Sequence, residues 1–209
     1  MIQLRYVDIS GVSTGEYERL YARASEERRT RADRYLRRED GVRCILADAL
    51  LRYATRSTLG TEDITLVRSE QGKPYLPDRE DFHFNLSHSG NWVAVAWSNS
   101  PVGVDVERLR MDAAKERIAR QFFRSDEQAY VFAADGEKRA KRFFRIWTMK
   151  ESYLKYRGCG LTVSLNSFSV LKPGALDVEF THIDLPDASM ALCAREDELR
   201  VRQLDTVLL

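Results

Sequence analysis

Three short stretches decide the fold: Phe82-His83-Phe84-Asn85-Leu86-Ser87-His88-Ser89, Trp92-Val93-Ala94-Val95-Ala96-Trp97, and Val102-Gly103-Val104-Asp105-Val106-Glu107. In the first, apolar Phe82, Phe84 and Leu86 alternate with polar residues, which predicts a strand with one apolar face. The second is an unbroken apolar run and predicts a buried strand. Asn99-Ser100-Pro101 is a turn, and the third stretch alternates strictly. Its period of two sends Val102, Val104 and Val106 to the core and puts Gly103, Asp105 and Glu107 together on the opposite face.

Outward from these strands the chain alternates between strand and helix. Ile2, Leu4 and Tyr6 share one face of a strand within residues 1–10. Residues 16–60 read as helical. Tyr17, Leu20, Tyr21 and Ala24 repeat at helical spacing, and Ser25 caps a second helix. A longer helix buries Cys44, Ala47, Leu50, Leu51 and Ala54 and stops near Gly60. Thr65-Leu66-Val67 predicts a short strand, and residues 71–78 a loop rich in Gly and Pro. Residues 112–133 predict a helix anchored by Ile118, Phe122 and Phe123, and 138–157 another. Strands are expected at 167–170, 178–180 and 191–193. Two α+β runs in succession leave room for two similar halves. The fold class is α+β.

Bulk properties exclude several functions. Hydrophobic residues make up 44% and charged residues 31%, as in an ordinary globular protein and unlike a disordered one. Thirty-three basic against 32 acidic residues leave a net charge of +1, which disfavours a dedicated nucleic-acid binder. Cys44, Cys159 and Cys193 show neither disulfide nor zinc spacing and point to a reducing compartment. The first residues do not read as a secretory signal, and no apolar run approaches the ~20 residues of a membrane span. A soluble, cytoplasmic protein is expected. Residues 137–157 hold eight bases against two acids, and 177–209 hold eight acids against three bases. The basic segment is either a solvated face or a docking surface for an acidic partner.

Asp105 and Glu107, roughly 7 Å apart along a strand, are close enough for both to reach one hard cation such as magnesium. Taken alone, they read first as two solvent-facing acids on an edge strand. On the helix, Trp147, Glu151 and Lys155 form one stripe beside the apolar stripe Ile146, Met149, Tyr153 and Tyr156. Glu151 and Lys155 are either a surface ion pair or a metal ligand or base with a phosphate-binding cation. Ser87 and His88 either hold a phosphate or cap a turn. They are not a nucleophile–base pair, because neighbours on a strand face opposite ways. Arg28, Arg31, Arg34, Arg37, Arg38 and Arg43 suit phosphate recognition but also read as a solvated helix face.

In combination the order is specific. Gly72-Lys73-Pro74, Phe84-Asn85-Leu86-Ser87-His88-Ser89, Gly103-Val104-Asp105-Val106-Glu107 and Trp147-Thr148-Met149-Lys150-Glu151-Ser152-Tyr153-Leu154-Lys155 resemble the Sfp-type 4′-phosphopantetheinyl transferases. The match runs from about Ser25 to Val170 and includes Gly158-Cys159-Gly160-Leu161 and Asn166-Ser167-Phe168-Ser169-Val170. The resemblance implies two pseudo-symmetric halves, 1–101 on the adenosine side of coenzyme A and 102–209 carrying the catalytic groups, with the active site between them. It implies an enzyme that moves the phosphopantetheine arm of coenzyme A to a serine of an apo carrier protein and releases adenosine 3′,5′-bisphosphate. Asp105, Glu107 and Glu151 are then metal ligands for magnesium, with manganese as an alternative. Glu151 also accepts the serine proton, and Lys155 binds the pyrophosphate. Arg28, Arg31, Arg43, Ser87 and His88 match positions that hold the 3′-phosphate, and Lys73 and Pro74 line the nucleotide side. Arg28 and Arg31 stand where relatives often carry lysine. Cys159 receives no role. The implied partners are acidic carriers of peptide, polyketide or fatty-acid synthases, met by a monomer that binds neither nucleic acid nor membrane. A metal-dependent phosphohydrolase acting on coenzyme A and an inactive carrier-binding homologue are the competing readings.

Overall fold

The computed structural model describes all residues except 173, 196 and 197, and excepting the side chains of 161 and 207. Strand β1 (Ile2–Asp8) is followed by helices α1 (Thr14–Arg23), α2 (Glu26–Asp33) and α3 (Arg38–Leu59). A two-residue hairpin, β2 (Val67–Arg68) and β3 (Pro74–Tyr75), leads to β4 (His83–Ser89) and β5 (Trp92–Ser98). The second run holds β6 (Val102–Arg108), α4 (Ala113–Phe122), α5 (Ser125–Phe132), α6 (Gly136–Arg157), β7 (Glu179–Asp184), β8 (Ala188–Ala194) and β9 (Leu199–Gln203).

The two runs share one plan. Each begins with a seven-residue strand, passes through two short helices into a 22-residue helix, and returns through two strands. The sheets match as well: β4-β5-β1 in the first and β7-β8-β6 in the second, each with its last strand in the middle. Both long helices stop at a left-handed glycine, Gly60 (φ 74°) and Gly158 (φ 64°), the conformation a helix C-terminus favours. Two features depart from the plan: the β2–β3 hairpin interrupts the first run only, and β9 follows the second. Strand β9 crosses back and pairs parallel with β1, and Leu204 and Leu209 then pack into the core of the first half.

Packing explains the sequence pattern. One face of the first sheet (Val7, Phe84, Val93, Val95, Trp97) lies on α3. Its other face (Ile2, Leu4, Trp92, Ala94, Ala96) meets Val102, Val104, Val106, Met190 and Leu192 of the second sheet. Strand β5 is covered on both sides, hence its continuous apolar run. Helix α6 closes the far face of the second sheet through Phe143, Ile146, Met149 and Tyr153.

Several expectations need correction. Residues 112–133 are two helices, broken where Phe123 and Arg124 turn extended. Phe123 is buried, whereas Phe122 is 36% exposed and anchors nothing. Residues 167–170 form no strand; a 3-10 turn at Leu165–Ser167 precedes extended backbone. Residues 65 and 66 stay outside the short strand that begins at Val67, and the expected loop at 71–78 contains β3, paired with it. Strand β9 was not expected: it is a largely exposed edge strand of five residues whose apolar pattern is limited to Leu199 and Val201 alternating with arginines. Asp105 and Gly103 share a face, but that face is covered. The backbone of α6 lies so close that a Cβ added to Gly103 would sit 2.0 Å from the Ser152 carbonyl oxygen and 2.4 Å from the Tyr156 nitrogen.

That approach yields a prediction. Gly103→Ala must push α6 away from β6, and overpacking against backbone cannot be relieved by a rotamer change. Chemical denaturation should show a loss of about 3 kcal/mol. A loss below ~0.5 kcal/mol, the range of neutral surface changes, would mean the helix does not rest on this glycine.

Candidate active site

The site grows from a problem at the edge of the second sheet. Strand β6 pairs with β8 on one side only. Its other edge is buried against β4, where unpaired N–H groups are costly. No backbone ladder joins β4 to β6. Alternate side chains of β4 supply the acceptors instead. The Val104 N–H donates to Asn85 Oδ1 (2.8 Å), the Val106 N–H to Ser87 Oγ (3.2 Å) and the Arg108 N–H to Ser89 Oγ (3.1 Å). The two serine hydroxyls then donate onward, Ser87 to Asp105 Oδ1 (3.0 Å) and Ser89 to Glu107 Oε2 (2.7 Å). The polar half of the β4 alternation therefore closes the seam between halves and aims both acids of β6.

Helix α6 brings the remaining groups. Lys155 Nζ reaches Asp105 Oδ1 at 2.7 Å, Ser87 Oγ at 3.0 Å and the Val104 carbonyl at 3.2 Å. Glu151, one turn earlier, lines a cleft of about 260 Å³ with Asn85, Leu154, Lys155 and the hairpin residues Gly72, Lys73 and Pro74. Burial, then the negative charge of Asp105, pushes the Glu151 carboxyl up to about 7, with Lys155 opposing and Glu107 adding to the shift. Burial is also the main cause that raises Asp105 and Glu107. Three carboxylates thus share one poorly solvated field with one lysine. This is the environment that tunes an acid toward neutral pH.

Other expected residues divide into two sets. His88 lies where removal from water, then the positive charges of Arg43, Lys155 and Arg31, hold its imidazole below the usual value. Arg31, Arg43, His88 and Lys155 therefore act on one region, suited to an anion. Arg43 also donates to the Gly90 carbonyl (2.6 Å) and pairs with Asp40. Arg28 turns instead toward Asp48 (3.5 Å), which Arg52 also holds. Ser87 is occupied by β6 and Lys155, so its hydroxyl is already committed to the seam. Lys73 presents its ammonium to backbone carbonyls beyond the cleft wall.

The basic segment 137–157 is less open than its composition suggests. Lys150 is fully buried, with its ammonium on Glu127 (2.9 Å) and on the carbonyls of Leu165 and Phe168 (both 2.7 Å). Arg139 pairs with Glu116 and Asp135, and Lys141 with Glu137. Lys150, Glu127, Asn85 and Ser89 were not singled out from sequence. For Asn85 and Ser89 the signal was present: polar residues at every second position of a strand set between apolar strands.

A divalent cation fits this donor set in part. Asp105 Oδ2 is buried and has no hydrogen-bond partner, an acceptor left for a ligand. Yet among the described residues no three His, Cys, Asp or Glu side chains form a ready metal cluster. The expected grip of Asp105, Glu107 and Glu151 on one ion is not preformed, and Lys155 occupies Asp105 Oδ1. One or two carboxylates suit magnesium, which takes its other ligands from water and substrate phosphate.

Comparison with known proteins agrees with this architecture. Residues 12–100 match the family model described as 4′-phosphopantetheinyl transferase, N-terminal, and residues 101–202 match that of the 4′-phosphopantetheinyl transferase superfamily. The 4′-phosphopantetheinyl transferase Sfp of Bacillus subtilis (strain 168) is 35% identical over 197 residues, 88% of this chain and 87% of that protein. The chain belongs to the Sfp-type 4′-phosphopantetheinyl transferases. A second Bacillus subtilis 4′-phosphopantetheinyl transferase is 37% identical over 179 residues, covering 84% of this chain and 77% of the relative. The 4′-phosphopantetheinyl transferase gsp of Aneurinibacillus migulanus is 34% identical over 175 residues, 82% and 72% of the two chains. For this member of the transferase family, no helix among the described residues is long and apolar enough to cross a membrane.

The Glu151 shift is testable without substrate. Folding raises this carboxyl from 4.5 to about 7. Its contribution to stability is therefore fully present below about 4.5 and lost as pH rises through 7. Glu151→Gln should stabilise chelator-treated protein relative to wild type at pH 8 and change it little at pH 5, read as Tm. A difference independent of pH would show that Glu151 titrates at its ordinary value.

Proposed function

We propose that the protein transfers the 4′-phosphopantetheine arm of coenzyme A to a serine hydroxyl of an apo carrier protein, releasing adenosine 3′,5′-bisphosphate. The observation that carries this reading is Glu151, poised at about 7 in a cleft between the halves, beside Asp105 and Lys155. A carboxylate tuned to neutral pH suits a general base. The serine oxygen attacks the phosphorus bearing the pantetheine arm, its proton passes to Glu151, and the bond to the bridging pyrophosphate oxygen breaks. Arg31 and Arg43 supply the positive field for the 3′-phosphate, and His88, held neutral beside them, supplies a hydrogen-bonding ring nitrogen. Lys155 moves from Asp105 to the leaving phosphate once that carboxylate is otherwise engaged. Asp105 and Glu107 would hold magnesium, which, when bound, neutralises pyrophosphate charge.

The carrier side of the reading rests on a second feature. An apolar groove of about 440 Å³ runs between α4, α6 and the following turn, lined by Ile118, Phe122, Trp147, Val163 and Leu165. It explains why Phe122 stays exposed. Arg117 and Arg120 of α4 and Arg124 at the start of α5 are near the groove in sequence and have the sign that complements an acidic carrier. A cytoplasmic location and a monomeric state complete the proposal.

Intact-mass spectrometry of an apo carrier incubated with coenzyme A and magnesium tests it. One phosphopantetheine adduct at a serine is expected. Asp105→Ala and Glu151→Ala should each lower kcat/KM by about 100-fold or more and keep the fold. Cleavage of coenzyme A without an adduct would replace the transferase reading with hydrolysis. No adduct on any peptide, polyketide or fatty-acid carrier would remove it.

A further inference from the structure

Lys73 is the unexplained residue of the cleft. It sits on the first half, in a hairpin built to present it. The Ser69 N–H donates to the Lys73 carbonyl (2.9 Å), and the Lys73 N–H donates back to Ser69 Oγ (3.1 Å). Gly72 makes the turn at φ 82°. The side chain then crosses to the second half. Its Nζ donates to the Lys155 carbonyl at 2.6 Å, with the Val102 carbonyl at 3.5 Å. Its stem lies against the glycine that ends α6: a Cβ on Gly158 would start 3.4 Å from Lys73 Cδ.

The last carbonyls of a helix lack intrahelical partners and carry the negative end of its dipole. A buried ammonium there answers both needs. Only one other donor reaches the same carbonyl among the described residues, the Gly158 N–H at 3.2 Å. Burial lowers the Lys73 ammonium to about 8, and no carboxylate is among the groups that act on it. The bonds it makes are to main chain.

We infer that Lys73 is a positioning residue, a latch from the first half that fixes the C-terminal turn of α6 and so the point from which Lys155 reaches Asp105. This rests on the transferase reading for its kinetic consequence, not for its structural one. It also replaces the expected role of Lys73 as a ligand of the nucleotide. A ligand lost raises KM, whereas a catalytic lysine displaced lowers kcat.

Lys73→Met keeps the stem and removes every donor. Lys73→Gln keeps a neutral donor. The test measures kcat and KM for coenzyme A with an apo peptidyl carrier domain, and hydrogen exchange at the Gly158 amide. Lys73→Met should lower kcat about tenfold, leave KM for coenzyme A within about twofold, and speed exchange at Gly158. Lys73→Gln should recover part of both effects. A raised KM at unchanged kcat, with exchange at Gly158 unaltered in both variants, would overturn the latch. Absence of transfer by the wild type would sink the transferase reading alone, and exchange at Gly158 would then decide the latch.

Discussion

A sheet edge buried inside a protein must find partners for its N–H groups, and here those partners are side chains. Strand β6 is the outer strand of its sheet and is pressed against β4. Asn85, Ser87 and Ser89 take the N–H groups of Val104, Val106 and Arg108. Each neutral hydrogen bond contributes about 1 kcal/mol net, but an unpaired buried donor costs about 1–3 kcal/mol. The seam is therefore held less by what it adds than by what its loss would expose. The same hydroxyls then fix Asp105 and Glu107, so stability and site geometry share atoms.

The repeated plan of the halves explains why the site lies where it does. Each half has a long helix across one sheet, and the two sheets meet face to face. At the seam a strand edge of one half, a strand face of the other and a helix C-terminal turn come together. Burial there has a chemical effect. Charges moved out of water without full pairing shift toward neutrality, and burial raises Asp105, Glu107 and Glu151 alike, Glu151 to about 7. The Asp105–Lys155 pair offsets this field only in part. The fully buried Lys150–Glu127 pair nearby serves a different end. It ties the turn after α6 to α5, and breaking such a pair costs about 3–5 kcal/mol.

Much of this was legible in the residues. The buried faces of α3 and α6 follow from helical spacing, and their ends from Gly60 and Gly158. The apolar run of β5 announced burial on both faces. The motifs that carry the family resemblance named Glu151 and the acids of β6 as site candidates, and the cleft brings Glu151 together with Lys155. What stayed hidden depends on partners distant in sequence. Lys150 counts as surface charge until Glu127 is found beside it. Phe122 and Phe123 look alike until the chain breaks between α4 and α5. Strand β9 offers only the short alternation of Leu199 and Val201 with arginines, and its pairing with β1 is what identifies it. The unpartnered Oδ2 of Asp105 was likewise invisible, because it depends on which of its oxygens Ser87 and Lys155 already occupy.

On the proposed function, the serines of β4 aim the acids of β6 at a cation. The most direct test of this central claim is the affinity of Mn²⁺, followed by electron paramagnetic resonance in the presence of coenzyme A, for wild type and a Ser87→Ala/Ser89→Ala double variant shown to be folded by circular dichroism. The claim predicts binding at least about tenfold weaker in the variant, about 1.4 kcal/mol. Equal affinity would contradict it, since the carboxylates would then hold their places without the seam.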